Sequence, residues 1–444
     1  MKILFISLGC DKNLVDSEVM LGLLTKNGYT LTDDETQADV IVINTCCFIH
    51  DAKEESINTI LEMAQYKEQN LKALVVTGCL AERYKDEILK EIPEIDAVLG
   101  TTSYDSIVEA VNMALAENAG EHFEHYESID YLPDNSEVER VVTTGNHMAY
   151  LKIAEGCDKR CSYCIIPKIR GHFRSVPMEE LLNEAKRLAS EGVKELVLVA
   201  QETTLYGKDL TGEKQLPLLL HELCKIEGIE WIRLLYCYPE EITDELIEAI
   251  KTEEKVCNYI DMPIQHSENR ILQRMGRRTS REDLVAVIKK LRQEIPDITI
   301  RTTLITGFPG ETKEQHKELL EFINDMEFDR LGVFTYSPEE GTPAAAMEHQ
   351  IDEEVKLDRQ AELMELQQDI SAELGERRIG QELLVMIEGK VADEDAYVGR
   401  SQADAPGVDG YVFVNTPETL VSGDFVRVKI TGALEYDLIG EISQ

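Results

Sequence analysis

Three cysteines with the spacing C-x₃-C-x₂-C, placed directly after an apolar segment, constrain this chain more than any other feature. Cys157, Cys161 and Cys164 lie in the segment EGCDKRCSYCIIP. Four thiolates normally hold a 4Fe–4S cube, so three thiolates leave one iron open to a ligand from outside the chain. A zinc knuckle is the alternative, but structural zinc takes four ligands and no second CxxC pair lies nearby. The loop therefore predicts an iron–sulfur site.

The part of the chain before this loop has the pattern of an α/β domain. Strands are predicted at 3–8, 40–44 and 73–77, and helices at 17–27, 51–66 and 81–91. Strands that alternate with helices favour an open, mostly parallel α/β sheet, which we assign to residues 1–125. The polar stretch that follows contains Pro133, Asp134 and Gly145, and it predicts a linker over residues 126–148.

The cysteine loop itself belongs to a second run of alternating elements, over residues 149–350. Strands are predicted at 150–154, 195–200, 231–236, 258–262, 299–305 and 331–335. Six β/α units suit a partial (β/α)6 barrel whose active site lies at the carboxyl ends of its strands. A long charged helix over residues 351–376 leads out of the barrel. Short alternating runs then predict a small five-stranded, OB-like β-barrel over residues 377–444.

Charge and cysteine content limit the partners and the compartment. The net charge of −40 over 444 residues repels phosphate backbones and attracts basic partners, although acidity that serves only solubility is an alternative. Ten cysteines without a secretory signal indicate thiolate ligands in the reducing cytoplasm. The opening segment MKILFISLGC is too short for a lipoprotein signal and is predicted as a strand. No apolar run approaches the roughly 20 residues that a bilayer requires, so we expect no membrane partner.

A second set of cysteines consists of Cys10, Cys46 and Cys79, with 35 and 32 residues between them. Each follows a strand of the predicted N-terminal sheet, in the segments SLGC, INTC and VTGC. Parallel strands end at one edge of their sheet, where three thiolates can hold a second cube with one open iron. Three unrelated buried thiols are the alternative. Cys47 adjoins Cys46, but strand alternation predicts that its side chain points away from the set.

Polar residues at predicted strand ends are candidates for binding a small molecule. Gln201, Glu202 and Thr203 end the second barrel strand, at the height where such barrels bind cofactors, although an exposed polar loop is the alternative. Gly307, in the segment TGFPGE, opens a helix, and its backbone can approach a nucleoside or carboxylate unless the segment is only a turn. The segment from Arg170 to Arg174 can meet a carboxylate of cofactor or substrate, and a structural ion pair is equally consistent with it.

The barrel cysteines, with Tyr163 before the last of them, resemble the radical S-adenosylmethionine superfamily. The order of the three parts resembles the methylthiotransferase family over essentially the whole chain. Within that family SLGCDKNLVDSE is most similar to the members that modify an aspartate of small-subunit ribosomal protein twelve, although Asp11 stands where most of them have proline. The resemblance rests on the segments SLGCDKNLVDSE, INTC, VTGC, GCDKRCSYCIIP, RGHFRS, PIQHSENRILQRMGRR, TLITGFPGET and YSPEEGTPA.

This resemblance implies two 4Fe–4S clusters, one on each three-cysteine set, with the barrel cysteines as the catalytic ligands and a TRAM-like C-terminal barrel. It implies S-adenosylmethionine as a cofactor, and we assign its contacts to Tyr163, Gln201, Thr203 and Gly307. It also implies that a radical takes hydrogen from the aspartate β-carbon, and that an external electron donor and a sulfur source take part. The N-terminal sheet is then expected to dock its cysteine edge over the barrel mouth.

Three other functions remain open at the level of sequence. A tRNA methylthiotransferase of the same family should have a basic C-terminal barrel, whereas residues 377–444 carry 6 basic and 12 acidic residues, or 6 − 12 = −6. This balance favours a basic ribosomal protein, on or near the small ribosomal subunit, over direct binding of nucleic acid. A non-catalytic iron–sulfur protein would need no S-adenosylmethionine pocket. A ribosome-assembly binding module would keep its activity without the barrel cysteines.

Overall fold

The computed structural model of the chain describes residues 1–116, 122–136 and 138–443. Residues 117–121, in the predicted N-terminal domain, residue 137, in the predicted linker, and residue 444 lie outside the described residues. Three bodies follow one another along the chain: a parallel α/β sheet, a partial β/α barrel and a small closed β-barrel.

The N-terminal body is a six-stranded parallel sheet with the strand order β2-β1-β3-β4-β5-β6. Its central strands are continuous apolar runs because helices cover both faces. Its strands are β1 (Lys2–Ser7), β2 (Thr30–Leu31), β3 (Val40–Thr45), β4 (Ala73–Gly78), β5 (Ala97–Leu99) and β6 (Phe123–His125). Its helices are α1 (Asp11–Lys26), α2 (His50–Ala64), α3 (Cys79–Arg83), α4 (Ile88–Glu91) and α5 (Ile107–Ala114).

Two helices of this body differ from the sequence prediction. Helix α1 begins at Asp11, six residues before the predicted start at 17, and buries polar side chains such as Asn13 and Asp16 against the barrel. The helix predicted over 81–91 is two short helices, α3 and α4, separated by a turn. The two pieces have different neighbours, since α3 packs on a barrel helix whereas Ile88 of α4 packs on the sheet. Tertiary contacts therefore override the local helical pattern.

The central body contains the six parallel barrel strands in their order along the chain. They form two three-stranded sheets joined by a parallel bridge between Ile232 and Val256. The barrel strands are β7 (Met148–Lys152), β10 (Glu195–Val199), β11 (Trp231–Leu234), β12 (Tyr259–Asp261), β13 (Thr299–Thr306) and β14 (Arg330–Thr335). A separate short ribbon at the barrel mouth pairs β8 (Ala154–Glu155) with β9 (Arg174–Ser175). This architecture confirms the α/β fold class and the partial barrel.

Amphipathic helices cover the outside of the barrel. Two of them begin with a reciprocal capping box, Ser280 with Asp283 and Thr312 with Gln315, which satisfies backbone N–H groups at the helix start. The helices of this body are α6 (Ile166–Ile169), α7 (Met178–Ser190), α8 (Lys208–Thr211), α9 (Leu216–Cys224), α10 (Asp244–Thr252), α11 (Asn269–Arg274), α12 (Arg281–Glu294), α13 (Lys313–Met326) and α14 (Glu353–Glu376). In the ranges that the structure describes, every helix is too short or too polar to traverse a bilayer.

The C-terminal body is a closed five-stranded barrel, as predicted, with the order β15-β16-β17-β19-β18. It packs on the amino-terminal ends of the barrel strands, where Phe425 meets Trp231 edge to face with 4.8 Å between ring centres. The strands are β15 (Glu382–Lys390), β16 (Ala396–Ser401), β17 (Val412–Asn415), β18 (Phe425–Ala433) and β19 (Leu438–Ile442). The small barrel therefore forms a floor beneath the larger one.

Buried ion pairs join this floor to the barrel. Glu195, at the start of β10, accepts from Arg233 of β11 at 2.7 Å and from Arg400 of β16 at 2.6 Å. On the other side of the floor, Arg301 of β13 pairs with Asp409 at 3.3 Å. Glu195, Arg233 and Arg400 are at most 1% exposed. Because buried charges are stable only when paired, the two bodies are held in one arrangement.

We expect replacement of Glu195 by Gln to lower the free energy of unfolding by about 3–5 kcal/mol, because it leaves two guanidinium groups short of a buried carboxylate. Burial alone would raise the pKa of Glu195, but Arg400 and Arg233 outweigh it and lower that pKa from 4.5 to about 2. Stability from this group is therefore present above pH 4.5 and is lost as the pH falls towards 2. In urea unfolding between pH 3 and 7, the free energy of unfolding of the variant should fall less with decreasing pH than that of the wild-type chain.

Glu222→Gln is the matched control. Glu222 forms a largely exposed ion pair with Lys225 at 2.7 Å on the outside of the barrel. Exposed pairs contribute little to stability. Equal losses in the two variants would contradict the ion-pair account of the floor.

Candidate iron–sulfur and cofactor site

The N-terminal cysteines lie together at one edge of the sheet. Strands β1, β3 and β4 are neighbours, and Ser7 pairs with Asn44 at their carboxyl ends. Cys46 and Cys79 follow the last residues of β3 and β4 directly, and Cys10 follows β1 after a two-residue loop. Adjacent parallel strands therefore bring three thiols from distant sequence positions to one place.

Electrostatic interaction between the thiols agrees with this arrangement. Burial raises the pKa of Cys79 well above its ordinary value, Arg170 opposes that rise, and the thiols of Cys47, Cys46 and Cys10 add to it in that order. Burial also raises the pKa of Cys46, and Cys10 raises it further. Each thiolate thus disfavours ionisation of its neighbours, and a bound cation would relieve the repulsion.

A glycine at the sheet edge allows two of these loops to approach closely. Gly9 has a φ of +90°, and a Cβ atom there would lie 2.7 Å from the Cβ atom of Cys46. A side chain would therefore separate the Cys10 loop from the Cys46 loop. The glycine before the cysteine in SLGC was a signal of this close approach.

Asn13 fixes the same edge and was not identified from the sequence. Its side-chain amide donates to the carbonyl oxygens of Leu8 at 3.0 Å and Thr45 at 2.9 Å, which ties together the loops that carry Cys10 and Cys46. Asn44 in turn donates to the carbonyl oxygen of Asn13 at 2.9 Å. Both amides are buried. Asn44 interrupts the apolar run of β3, and this polar residue was the signal that could have found the pair.

Cys47 has a different environment from Cys46. It is fully buried in the apolar core beneath α2, and its thiol donates to the carbonyl oxygen of Cys79 at 3.1 Å. Burial raises its pKa to about 12. Its hydrogen bond to a main-chain oxygen leaves it less suited to ligation than the neighbouring thiol.

The barrel cysteines lie in a loop between β8 and α6. The Cys157 amide donates to the carbonyl oxygen of Gly171 at 3.1 Å, and the Cys164 amide donates to that of Cys161 at 3.1 Å. Ser162, between them, donates through its amide to Met275 at 2.8 Å. Every part of the loop is therefore anchored to the barrel.

The three barrel thiols are also close enough to interact. Burial raises the pKa of Cys157 to about 11, and the Cys161 thiol contributes to the rise. Burial raises the pKa of Cys164 further, with contributions from Cys161 and Cys157. Both three-cysteine sets thus offer soft sulfur donors, which are the ligands of iron–sulfur clusters.

In the described part of the chain, no three His, Cys, Asp or Glu side chains are arranged to ligate one metal ion. A cube differs from a single ion because each of its cysteine ligands binds a different iron atom, so the sulfur atoms lie farther apart.

The four residues assigned to the cofactor have unequal freedom to bind it. Tyr163 packs beside Phe308 and Tyr336 next to the cysteine loop. Gln201 donates to Glu155 at 2.7 Å, and its buried carbonyl oxygen has no hydrogen-bond partner among the described residues. Of the predicted contacts, Gln201 is therefore the one with a free polar atom.

The other two assigned residues are already engaged within the protein. The Thr203 hydroxyl donates to the carbonyl oxygen of Leu235 at 2.8 Å, which closes the top of β11. The Gly307 amide donates to the Glu311 carboxylate, and a side chain at Gly307 would meet Lys356 of α14. Glu311 therefore satisfies the Gly307 amide from within the loop, and contact between this backbone and a ligand stays a prediction.

Arg170 and Arg174 favour the structural alternative that their sequence left open. Arg170 donates to Asp16 at 3.1 Å and to Glu155 at 2.8 Å, and it is 2% exposed. Arg174 donates to the carbonyl oxygen of Arg170 at 3.2 Å. The Arg170 guanidinium is therefore not free to meet a carboxylate from outside the chain, whereas Arg174 keeps one nitrogen, Nε, without a hydrogen-bond partner among the described residues.

Glu202, one of the polar residues expected at the end of the second barrel strand, forms a buried charge group with Lys159, which the sequence did not single out. Lys159, in the cysteine loop, lies 3.6 Å from Glu202 and 3.1 Å from Glu240. Burial raises the pKa of Glu202 from 4.5 to about 7, and Lys159 opposes the rise. Glu202 is fully buried at the carboxyl end of β10 and contributes to the raised pKa of Cys157.

Several buried polar atoms at the carboxyl ends of the barrel strands have no hydrogen-bond partner among the described residues. They are Gln201 Oε1, Glu202 Oε2, Thr306 Oγ1 and the Tyr336 hydroxyl. Buried polar atoms are normally satisfied, so a polar ligand at this level would complete them. A nucleoside with an amino-acid part, such as S-adenosylmethionine, fits this requirement. The unpaired atoms lie at the height where such a barrel binds its ligands.

Comparison with known proteins agrees with the three-part structure. Residues 2–100 match the uncharacterized protein family UPF0004, residues 151–323 match the radical SAM superfamily, and residues 379–442 match the TRAM domain. Among solved structures, the radical S-adenosylmethionine methyltransferase TsrM from Kitasatospora setae, with cobalamin and a 4Fe–4S cluster bound, is similar with a TM-score of 0.57. It is 14% identical, and the match covers 88% of this chain and 81% of that chain. At that identity the likeness shows the fold alone.

Curated relatives match over nearly the full length. The ribosomal protein uS12 methylthiotransferase RimO of Lachnoclostridium phytofermentans is 63% identical over 441 residues, which cover 99% of each chain. The RimO of Desulforamulus reducens is 53% identical over 442 residues, which also cover 99% of each chain. This chain therefore belongs to the RimO family of radical SAM methylthiotransferases.

Proposed function

We propose that this protein adds a methylthio group to the β-carbon of an aspartate in ribosomal protein uS12. The observation that carries the proposal is the packing of the segment after the barrel cysteines on the N-terminal cysteine edge, where Arg170 contacts Cys79 at 3.7 Å. Two cluster sites joined by so short a segment suit a reaction that both activates a carbon atom and delivers sulfur to it. The names of the full-length relatives support the same substrate.

The barrel cysteines would hold one 4Fe–4S cube, and the N-terminal cysteines would hold the other. When bound, the barrel cube and S-adenosylmethionine supply a carbon radical that can remove hydrogen from an unactivated C–H bond. Gln201 and Glu202 would contact the polar end of S-adenosylmethionine through oxygen atoms that lack a hydrogen-bond partner among the described residues, with Lys159 3.6 Å from the Glu202 oxygen. Cys157, Cys161, Cys46 and Cys79 are each at most 7% exposed, whereas Cys164 is half-buried and Cys10 is exposed. The surrounding chain therefore excludes water from four of the six sulfur ligands.

Each part of the chain has its own role in this proposal. Residues 1–125 hold the N-terminal cluster, residues 126–148 link this domain to the barrel, and residues 149–350 hold the barrel cluster and S-adenosylmethionine. Residues 351–376 lead to the C-terminal barrel of 377–444. Electrons and the transferred sulfur come from an external donor and a sulfur source. Because the proposed substrate is part of the ribosome, we place the reaction in the cytoplasm.

Charge supports a basic protein as the substrate rather than tRNA. The chain has a net charge of −40, and its C-terminal barrel carries −6. A polyanion would be repelled by this surface, whereas a basic ribosomal protein would be attracted to it, especially at low ionic strength. The rival function, tRNA methylthiolation, is therefore disfavoured.

Replacing Cys10, Cys46 and Cys79 together by Ala should abolish methylthio transfer while leaving reductive cleavage of S-adenosylmethionine. The variant should retain about half of the iron, because one of two cubes is lost. Replacing the three barrel cysteines should abolish both reactions. Iron analysis of the purified chain and chromatography of 5′-deoxyadenosine measure these outcomes.

Cys47→Ala and Cys224→Ala are the control variants for cysteine loss. Cys47 is buried beside the N-terminal set, and Cys224 is half-buried in α9 on the outside of the barrel. Both should keep their full iron content. Loss of iron from Cys47→Ala, with retention in Cys46→Ala, would show that the ligand has been wrongly assigned.

A strain without this gene should contain uS12 lighter by one methylthio group, as measured by mass spectrometry of the intact protein. Expression of the wild-type chain should restore the heavier form, and the chain without barrel cysteines should not. Unchanged uS12, together with loss of a methylthio nucleoside from tRNA digests, would establish the tRNA rival instead. Restoration of the heavier uS12 by the chain that lacks the three barrel cysteines would support a binding module.

A further inference from the structure

Arg170 connects the two cysteine sites through opposite sides of one guanidinium group. Its Nη1 donates to Glu155 at 2.8 Å and to Asp16 at 3.1 Å. Its Nη2 donates to the side-chain oxygen of Asn13 and to the sulfur of Cys79 at 3.7 Å. One side therefore meets the entry to the barrel cysteine loop, and the other meets the N-terminal cysteine edge.

The chain around Arg170 makes this connection short and stiff. Arg170 ends α6, only six residues after Cys164. Ile165 and Ile169 of this segment are buried in the same apolar core as Cys79. The Ile169 carbonyl oxygen also accepts from the Thr101 hydroxyl at 2.6 Å. Apolar packing thus holds the guanidinium at the sheet edge independently of its ion pairs.

The four buried charges of the ion-pair group that contains Arg170 sum to zero without a cluster. Arg170 and Lys152 carry two positive charges, and Asp16 and Glu155 carry two negative charges, with all four side chains at most 5% exposed. Lys152 contacts the same two carboxylates, at 3.0 Å to Glu155. Because Lys152 points to the carboxylates alone, Arg170 is the member of this group that presents charge to a thiol.

We propose that Arg170 is a positioning residue that couples the two cluster sites and places a fixed positive charge on a sulfur ligand of the N-terminal cube. The inference rests on the proposed function in one respect, the ligation of that cube by Cys10, Cys46 and Cys79. A charged N–H donor to a cysteine sulfur stabilises the reduced, more negative cluster and raises its reduction potential. The same guanidinium holds Cys79 and Glu155 in a fixed relative position across the interface.

The potential is measured on the full chain with Cys157, Cys161 and Cys164 replaced by Ala, so that one cluster remains. Removal of Arg170 alone would leave an excess buried carboxylate, so the test variant is Asp16→Asn with Arg170→Gln, which keeps the group neutral. A redox titration followed by electron paramagnetic resonance should give a lower potential than in the parent chain. Arg170→Lys keeps the charge but loses the planar fork, so its potential should lie between the two.

Glu18→Gln with Arg140→Gln is the matched control. Arg140 also joins α1 to the barrel side, by pairing with Glu18 at 3.2 Å and with Glu184 of α7 at 2.8 Å, and it is buried. Its removal weakens the same interface without taking charge from a thiol. The control should therefore leave the potential unchanged.

A second measurement uses the same variants without any cluster. Hydrogen exchange of backbone amides in α3 and α6 should rise in both helices when Arg170 is replaced, including in Arg170→Lys. A variant that loses the cluster during purification is still informative here, because this readout needs no iron. Unchanged exchange in α3 would overturn the coupling.

The two measurements separate the possible failures. An unchanged potential in the neutral double variant, or an equal shift in the control, would overturn the role of Arg170. Failure of the parent chain to bind any cluster, before Arg170 is changed, would overturn the cysteine assignment of the proposed function instead. In that case the exchange result still decides whether Arg170 couples the two segments.

Discussion

Buried guanidinium groups fix the arrangement of the three bodies at both ends of the barrel. At the mouth, Arg170 joins the N-terminal sheet to the cysteine loop, and at the floor Arg233 and Arg400 share Glu195. A planar, permanently charged guanidinium presents five donors in a rigid fork, so it can satisfy partners from several elements in one defined geometry. Because these charges are buried, an arrangement that left one of them without its partner would be strongly destabilised, so the bodies have one docked geometry.

The features that depend on local sequence pattern were predictable. Strand alternation located the barrel strands to within a few residues, and the placement of Cys10, Cys46 and Cys79 after three strands indicated that they meet at one sheet edge. Both inferences use only periodicity and the geometry of parallel strands, which short segments determine. The closed C-terminal barrel followed from the same alternation.

The features that depend on long-range contacts were not predictable. The break between α3 and α4 arises from packing on the barrel, and the commitment of Gly307 arises from Glu311 and Lys356. Asp16 and Glu155 are ordinary acidic residues in the sequence, and only the docked structure makes them partners of Arg170. Asp16 and Arg170 are 154 positions apart, so their pairing has no local signature. Glu202 was expected at a strand end, but its burial beside Lys159 is a property of the assembled barrel.

The ionic floor also limits how the parts of such a chain can be exchanged between relatives. Arg400 and Asp409 belong to the small barrel, whereas Glu195 and Arg301 belong to the large one. Each of these ion pairs therefore joins one barrel to the other. A transplanted C-terminal barrel without matching charges would bury uncompensated groups beneath the active site. A small barrel moved from one such chain to another would therefore have to be moved together with its partner charges in the large barrel.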